Sequence, residues 1–474
     1  MVIGLLLLVV GILIPIYFPS IVEKKLDEKL VLRPDSPTLG NFISPPIPIY
    51  MQYYIFNVTN PEEILAGGKA QVKEIGPYTY EENRMKYDLK WNADEDTVIF
   101  KQNKTFFFRP DLSNGLLESD ELTIINPLYI IFSNKFAKQE GGTMEFMHET
   151  IRLRFSLTVF ITRKVGELLF HGFKEPMMSE MLYPTTKDPV HLTGRFGLFY
   201  PKNNTNDGTY KIKTGGDGLG ELTLVKEFRD APKLDYWTTE SCNMINGTEG
   251  SQFPRPINEN VTLKMFSSDL CRSLYLNFEK TLDRGGLTLY RFVLPRAGLA
   301  ATPENKCFCT DEFTCRDSMI NLSPCKKGVP IITSTPHFYL GNETDVNNIG
   351  GLKPIKEHHQ TYLDIEPNTG VTFRAHKRIQ INVPLRRFRH ARGLRNVTEV
   401  IFPILWLNES AEVPLPRAEA LHVKLTRPLE IATMLSYALI AVGVLIPIVV
   451  IIVICIEKRK TGKSKVSKSV KIVF

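Results

Sequence analysis

The chain has 474 residues, of which 43% are hydrophobic and 23% charged, and a formal net charge of +7. That is too long for one small domain and too apolar for a disordered chain. Part of the positive balance is concentrated in one terminal tail, which suits an anionic membrane leaflet and argues against nucleic-acid binding.

The sequence opens on Met1–Ile21, MVIGLLLLVVGILIPIYFPSI, without a charged side chain. It lacks the positive n-region, the shorter apolar core and the small-residue cleavage site of a signal peptide. Its length is what a retained anchor needs, so a membrane helix is predicted over 2–22. Glu23–Leu32 is a charged stub that continues this helix. Ile47–Thr59 is rich in aromatic and branched residues, as strands are, and Asn60-Pro61 ends it. Gly76-Pro77-Tyr78-Thr79-Tyr80 is a turn into another strand, and short strands with turns run on to about Arg109.

The character changes at Asp120–Lys138, where Leu128, Ile131, Phe132 and Phe136 fall on one helical face behind Pro127. Met144–Thr150 is compatible with helix. Ile151, Leu153, Phe155, Leu157, Val159 and Ile161 alternate with polar residues and predict a strand, giving a small helical insertion that ends in a strand. Between Gly194 and Leu299 short strands return. Gly215–Gly220 has the look of a phosphate loop, but no Lys-Ser/Thr and no helix follow it, so it reads as a hairpin loop.

Six of the seven cysteines fall between Cys242 and Cys325. In a translocated domain they read as three disulfides, with the pairing left open. A zinc site from Cys307, Cys309, Cys315 and Cys325 is the rival, and an oxidising compartment argues against it. Glu357-His358-His359 is the one tight His/carboxylate cluster. Adjacent histidines cannot both face one metal on a strand, so a surface loop is expected and no metal site is assigned.

In Arg378–Leu385, Ile379, Ile381, Val383 and Leu385 alternate with Arg378, Gln380 and Asn382, while Val400–Leu407 is a nearly unbroken apolar run; the two are the best strand candidates. Arg386, Arg387, Arg389, His390, Arg392 and Arg395 lie between them and read as a solvated basic loop, with anionic lipid headgroups as the sharper alternative. Ile431–Ile456 then holds no charge and is predicted to span the bilayer, Pro447 included. Lys458, Arg459, Lys460, Lys463, Lys465, Lys468 and Lys471 follow, so residues 457–474 form a basic cytoplasmic tail and residues 23–430 lie outside or in a lumen. Cys455, at the cytoplasmic end of this span, is a candidate for acylation or a plain thiol. The sequons at Asn57, Asn103, Asn203, Asn246, Asn260, Asn321, Asn342, Asn396 and Asn408 all fall between the two spans and predict a glycosylated ectodomain. Asn321 is the weakest, with Pro324 close behind its serine. The sequence contains no G-x-S-x-G elbow, H-E-x-x-H or Walker loop, so no enzyme and no cofactor are expected.

Several stretches in order carry a resemblance: NVTNPEEIL at Asn57–Leu65, GPYTY at Gly76–Tyr80, GLFYPKNNTNDG at Gly197–Gly208 and CNMINGT at Cys242–Thr248. FSSDLCRSLY at Phe266–Tyr275, CFCT at Cys307–Thr310, TYLDIEPNTG at Thr361–Gly370 and PILWLNES at Pro403–Ser410 continue it. The chain resembles the class B scavenger receptors, the family of the fatty acid translocase and the lysosomal integral membrane protein.

The resemblance implies an α+β membrane protein: a β-barrel-like glycosylated ectodomain, with a helical cap at about 120–162 and a disulfide region at 242–325, between two transmembrane helices at 2–22 and 431–456. It implies a hydrophobic tunnel running toward the membrane. It implies the pairs Cys242–Cys307, Cys271–Cys325 and Cys309–Cys315, and cap cations Arg152, Arg154 and Lys164 available to anionic ligands. The function it implies is a receptor for fatty acids, sterol lipids or lipoproteins that passes lipid to the membrane. The alternatives are a trafficking receptor for a lysosomal hydrolase and a phagocytic receptor for anionic phospholipid surfaces. The tail ends KSVKIVF, without an acidic dileucine sorting signal, which favours the plasma membrane, with both termini cytoplasmic, over the lysosomal membrane.

Overall fold

A computed structural model describes residues 2–136, 142–182, 184, 192–389 and 391–470. The chain divides into two compact units. One holds Met1–Leu30, Asp283–Leu287 and Pro414–Phe474, the other Val31–Leu282 and Thr288–Val413.

In the first unit, two long helices, α1 (Val2–Leu30) and α4 (Leu415–Val470), pack along each other. Each is long and apolar enough to cross a membrane, α4 over Leu415–Arg459, and their large apolar side chains point outward. A hydrocarbon surround explains that inversion, and close approach of the backbones replaces hydrophobic burial as the adhesive. Glycines provide it: a Cβ on Gly443 would lie 2.7 Å from the Leu8 nitrogen, and one on Gly11 3.0 Å from the Ser436 carbonyl oxygen. The Ser436 hydroxyl donates to the Gly11 carbonyl at 2.7 Å. Of the basic tail, α4 carries the backbone through Val470 and Lys471 lies outside the described residues.

The second unit is built on one sheet. Its principal strands are β1 (Ile49–Val58), β2 (Ala70–Asn92), β3 (Thr97–Phe108), β4 (Thr205–Lys213), β5 (Val225–Phe228), β6 (Leu263–Ser267), β7 (Arg272–Arg284), β8 (Leu287–Val293), β9 (Tyr362–Ile365), β10 (Thr372–Leu385) and β11 (Val400–Glu412). They follow one another in the order β6-β7-β8-β9-β10-β11-β1-β2-β3-β4-β5, so the first strand in sequence pairs with the last. Ile49 faces Ala411, and Leu385 faces Val400 across the β10–β11 pair.

The two edge strands of this order, β5 and β6, are joined by a single extended segment. Thr248 bridges Leu224 on one side and Met265 on the other. The Val225 N–H donates to the Gly247 carbonyl at 2.9 Å, Thr248 to Lys264 at 3.1 Å and Phe266 to Thr248 at 2.8 Å. A curved sheet with both edges satisfied in this way is a nearly closed barrel.

Above the wall sits the insertion. Glu121–Ile125 pairs antiparallel with Phe160–Lys164, and two helices lie between them, α2 (Pro127–Phe136) and α3 (Gly142–Arg154). Leu128, Tyr129, Ile130 and Phe132 of α2 are buried in the main core. Lys138 lies outside the described residues. The stretch Ile151–Phe155, expected as strand, is instead the end of α3 and the turn after it. Ile151 and Phe155, four apart, pack against the core while Leu153 between them stays exposed; the alternation was one edge of a helical stripe. A second, separate core around Trp237, Phe253, Phe292 and Leu363 fills the far side, by the disulfide region.

Candidate functional site

The barrel encloses a cavity of about 310 Å³, at the lower end of the roughly 300–1,000 Å³ typical of small-molecule sites. Strand alternation decides what faces it: Met51 and Tyr53 from β1, Glu82 and Arg84 from β2, Phe100, Gln102, Lys104 and Phe106 from β3, Lys377, Ile379 and Ile381 from β10, Leu407 and Glu409 from β11. A second, smaller pocket of about 60 Å³ shares Met265, Ser267, Leu270, Thr333, Lys377 and Ile379 with it as lining residues and is also lined by Leu274, Leu294, Leu299 and Ile320. Its exposed surface is mostly apolar, although Thr335, Thr361 and Arg378 also line it. A belt of charges crosses the main cavity.

Five cations, Arg84, Lys104, Lys202, Lys326 and Lys377, face five carboxylates, Glu82, Asp207, Glu249, Asp269 and Glu409. Lys377 lies 3.3 Å from Glu409, which meets Arg84 at 3.1 Å, and Arg84 meets Glu82 at 2.7 Å. Across the cavity Lys104 lies 3.2 Å from Asp207, Lys202 3.0 Å from Asp207 and 3.8 Å from Asp269. Burial alone would raise the Asp207 carboxyl, but Lys104 and Lys202 hold it far below the ordinary carboxylate range. Burial is likewise outweighed at Glu409, by Lys377 and Arg84. Both carboxyls are therefore held in their ionised form by the cations beside them.

Of the Glu357-His358-His359 cluster the first two are exposed, as a surface segment would be, but the third is turned inward. Lys356–His359 is one helical turn, His359 is only 4% exposed, and its ring stacks on His337 at 4.3 Å. Glu74, His337 and His359 bring ligand atoms within 4.8 Å of one another, yet the tautomers do not suit a cation. The Lys353 N–H donates to His337 Nδ1 and the Ile355 N–H to His359 Nδ1, both at 2.9 Å. Each Nε2 thus carries the proton, and His337 Nε2 and Trp406 Nε1 both donate to the Glu74 carboxylate. The donor set is built for a carboxylate.

Burial, with the neighbouring His337, pushes the His359 pKa down to about 3; Glu74 pulls the other way, and His358 and Arg378 reinforce the depression. The unfolded chain, whose histidines titrate near ~6.5, takes up this proton first on acidification. This contribution to stability is complete above about pH 6.5 and drains away as the pH falls. Between pH 6.5 and 5 the loss should be about 2 kcal/mol, and His359→Gln should flatten that slope in thermal melts recorded across the range.

The remaining sequence-selected residues are dispersed. Arg152 pairs with Glu149 and Arg154 with Glu180, each at 2.6 Å, so both cap cations are already answered; Lys164 is exposed at the end of its strand. The basic loop is also tied down: Arg386 pairs with Asp311, Arg395 with Glu145, and Arg387 donates to the Val397 carbonyl. His390 lies outside the described residues. In the Gly215–Gly220 loop the Gly216 and Asp217 N–H groups donate to the Asp96 carboxylate, an internal occupant of the anion seat.

Three disulfides, Cys242–Cys307, Cys271–Cys325 and Cys309–Cys315, staple the region below the second core; Cys455 is a free thiol, exposed on α4. Among the sequons Asn203, Asn260, Asn342 and Asn396 are exposed, Asn57, Asn103 and Asn246 half-buried, and Asn321 and Asn408 buried. Asn321 is buried, and its Nδ2, the atom that would carry a glycan, donates to Thr314 while its Oδ1 accepts from Ser323. Glycopeptide mapping should find Asn321 bare.

Nothing in the primary sequence marked the belt. Glu82 and Arg84 stand two apart on β2, but the opposite face there carries Glu81 and Asn83, so no polar contrast gave them away.

Comparison with known proteins bears on the whole chain. A family model described as CD36 family matches residues 2–454. Lysosome membrane protein 2 of Rattus norvegicus and of Homo sapiens are each 37% identical over 448 residues, covering 93% of this chain and 91% of theirs. Scavenger receptor class B member 1 of Mus musculus is 31% identical over 462 residues, covering 95% of this chain and 87% of its own. These names are those of membrane proteins and receptors, not of enzymes. With a nearly closed antiparallel barrel, two terminal apolar helices that fit a two-pass topology with cytoplasmic ends, and this match from end to end, the chain belongs to the CD36 family, as a receptor of the class B scavenger type.

Proposed function

We propose that the protein binds the acyl part of a lipid in the barrel cavity and passes it to the membrane along a covered path. The observation that carries this reading is the cavity itself, with a second, mostly apolar pocket against Met265 and Leu270. Each methylene moved through water costs about 0.8 kcal/mol, so ten of them oppose free transfer by roughly 8 kcal/mol. A walled apolar path removes that barrier without chemistry, as a receptor rather than an enzyme needs. Fatty acids, sterol esters and lipids drawn from lipoprotein particles are the substrate classes. Lipid mass spectrometry on the purified full-length chain should find co-purified acyl lipid; a lipid-free preparation, with no uptake by expressing cells, would sink the reading.

A second reading, a lysosomal membrane receptor that escorts a hydrolase, is favoured by the higher identity to lysosome membrane protein 2. The exposed apolar Phe146 and Leu153 on α3 offer a protein-binding face for it. Localising a tagged chain separates the two: a lysosomal pool with no surface pool supports the escort. Docking to anionic surfaces through the cap has less support, since Arg152 and Arg154 are paired.

A further inference from the structure

The disulfide region buries a cation that has no acid to answer it. Arg272 opens β7 directly after Cys271 and is only 5% exposed. Its guanidinium lies over the Phe308 ring, 3.5 Å from the centroid. Nε donates to the Ser273 carbonyl and Nη2 to the Asn305 side-chain oxygen, each at a long 3.3 Å. Among the described residues it makes no ion pair. Burial pushes the guanidinium pKa down to about 10, with the Tyr275 phenol opposing it, so the group is still charged at neutral pH.

Beside Arg272 is a pocket of about 10 Å³, lined also by Ala300, Asn305, Cys309 and Arg316. One water-sized particle needs roughly 10–15 Å³, so the space suits a single atom and is too small for a carboxylate or a phosphate. Arg316, the second cation on its wall, is answered by Asp345 and by the Phe313 carbonyl. No carboxylate lines the pocket. Its wall therefore carries one positive charge in excess. A water molecule can fill the space without neutralising that charge, whereas an anion does both.

The frame around the pocket is fixed in advance. Trp237 Nε1 donates to the Cys271 carbonyl at 2.7 Å, and Arg272 faces Ser267 across the β6–β7 pair. The Asn305 amide donates to the Ala297 and Ala300 carbonyls, both at 2.9 Å. Cys271, next to Arg272, and Cys307 and Cys309, on either side of Phe308, belong to three different disulfides. Little ordering remains to be done when an ion arrives.

We infer that this pocket binds a chloride ion, which neutralises Arg272 and holds the junction of the three disulfides together. Chloride is the abundant single-atom anion outside cells. The site lies apart from the barrel cavity and does not depend on the acyl-binding reading.

The test melts the full-length chain in detergent at constant ionic strength, in sodium chloride or in sodium gluconate, whose anion is too large for the pocket. Replacing gluconate by chloride at about 150 mM should raise the wild-type midpoint by about 2 °C. Arg272→Met should melt at the same temperature in both salts. A wild-type midpoint that is equal in the two salts overturns the site, with water as the occupant. An equal rise in wild type and variant overturns it as well, because chloride then acts elsewhere. Should the variant fail to fold, hydrogen exchange on the unaltered chain decides. Chloride should slow exchange at amides 300–301 and 305–309 about threefold and leave those of β2 and β3 unchanged. Unchanged rates at 300–309, or the same slowing in β2 and β3, overturn the site.

Discussion

Gly247→Val should open the barrel along one line and leave the rest of its wall intact. Gly247 has φ +90°, and a Cβ added there would lie 2.1 Å from the carbonyl carbon and oxygen of Lys264. The obstacle is backbone, which cannot swing aside as a side chain would. The left-handed conformation alone costs a branched residue about 1–3 kcal/mol, and relieving the contact must break the bonds of Thr248 to Lys264 and Phe266. Together about 4 kcal/mol is expected. Hydrogen exchange should show amides 224–226 and 264–266 losing protection while those of β10 and β11 keep theirs. A variant that melts like the wild type with this seam still protected would mean that the segment around Thr248 does not close the barrel.

Arg84→Met should be nearly as damaging, for an electrostatic reason. Arg84 bridges Glu82, whose side chain is 1% exposed, and Glu409. Removing one member of a buried pair strands its partners, at a cost of roughly 3–5 kcal/mol. Neutralising Glu82 as well, in Glu82→Gln on top of Arg84→Met, should recover part of the loss, because a neutral group is far less costly to bury and Glu409 keeps its pair with Lys377. The comparison of single and double variants by thermal unfolding checks this. Equal losses in both would mean that the arginine matters for its packing and not for its charge. Salt should do little to the wild-type value, since the pairs lie inside the wall and are weakly screened.

How much of this could be read from the sequence depended on contrast. The β10–β11 pair was legible because Ile379, Ile381 and Val383 alternate with polar neighbours, and because Val400–Leu407 is buried along its whole length. The spans were legible from length and absence of charge. The end of α3 was misread because a short helix with Ile151 and Phe155 inward imitates a strand's alternation. The belt was hidden for a deeper reason: inward and outward faces of β2 are both polar, and only closure of the sheet distinguishes Glu82 and Arg84 from Glu81 and Asn83. Nor does anything local separate Lys326 from Lys327, or His359 from His358. The turn tied by Cys271–Cys325 places Lys326 and not Lys327 against the cavity, and stacking on His337 accompanies burial of His359.

The pairing of the first wall strand with the last has a consequence for biogenesis. Tyr50 and Ser410 meet although 360 residues separate them, so β1 must wait, with one edge bare, until nearly all of the luminal polypeptide has left the ribosome. Long-range closure of this kind is slow and leaves a sticky edge exposed meanwhile. Nascent chains halted before Val400 should therefore remain chaperone-bound and protease-sensitive throughout the translocated part, and acquire resistance in a single late step rather than module by module.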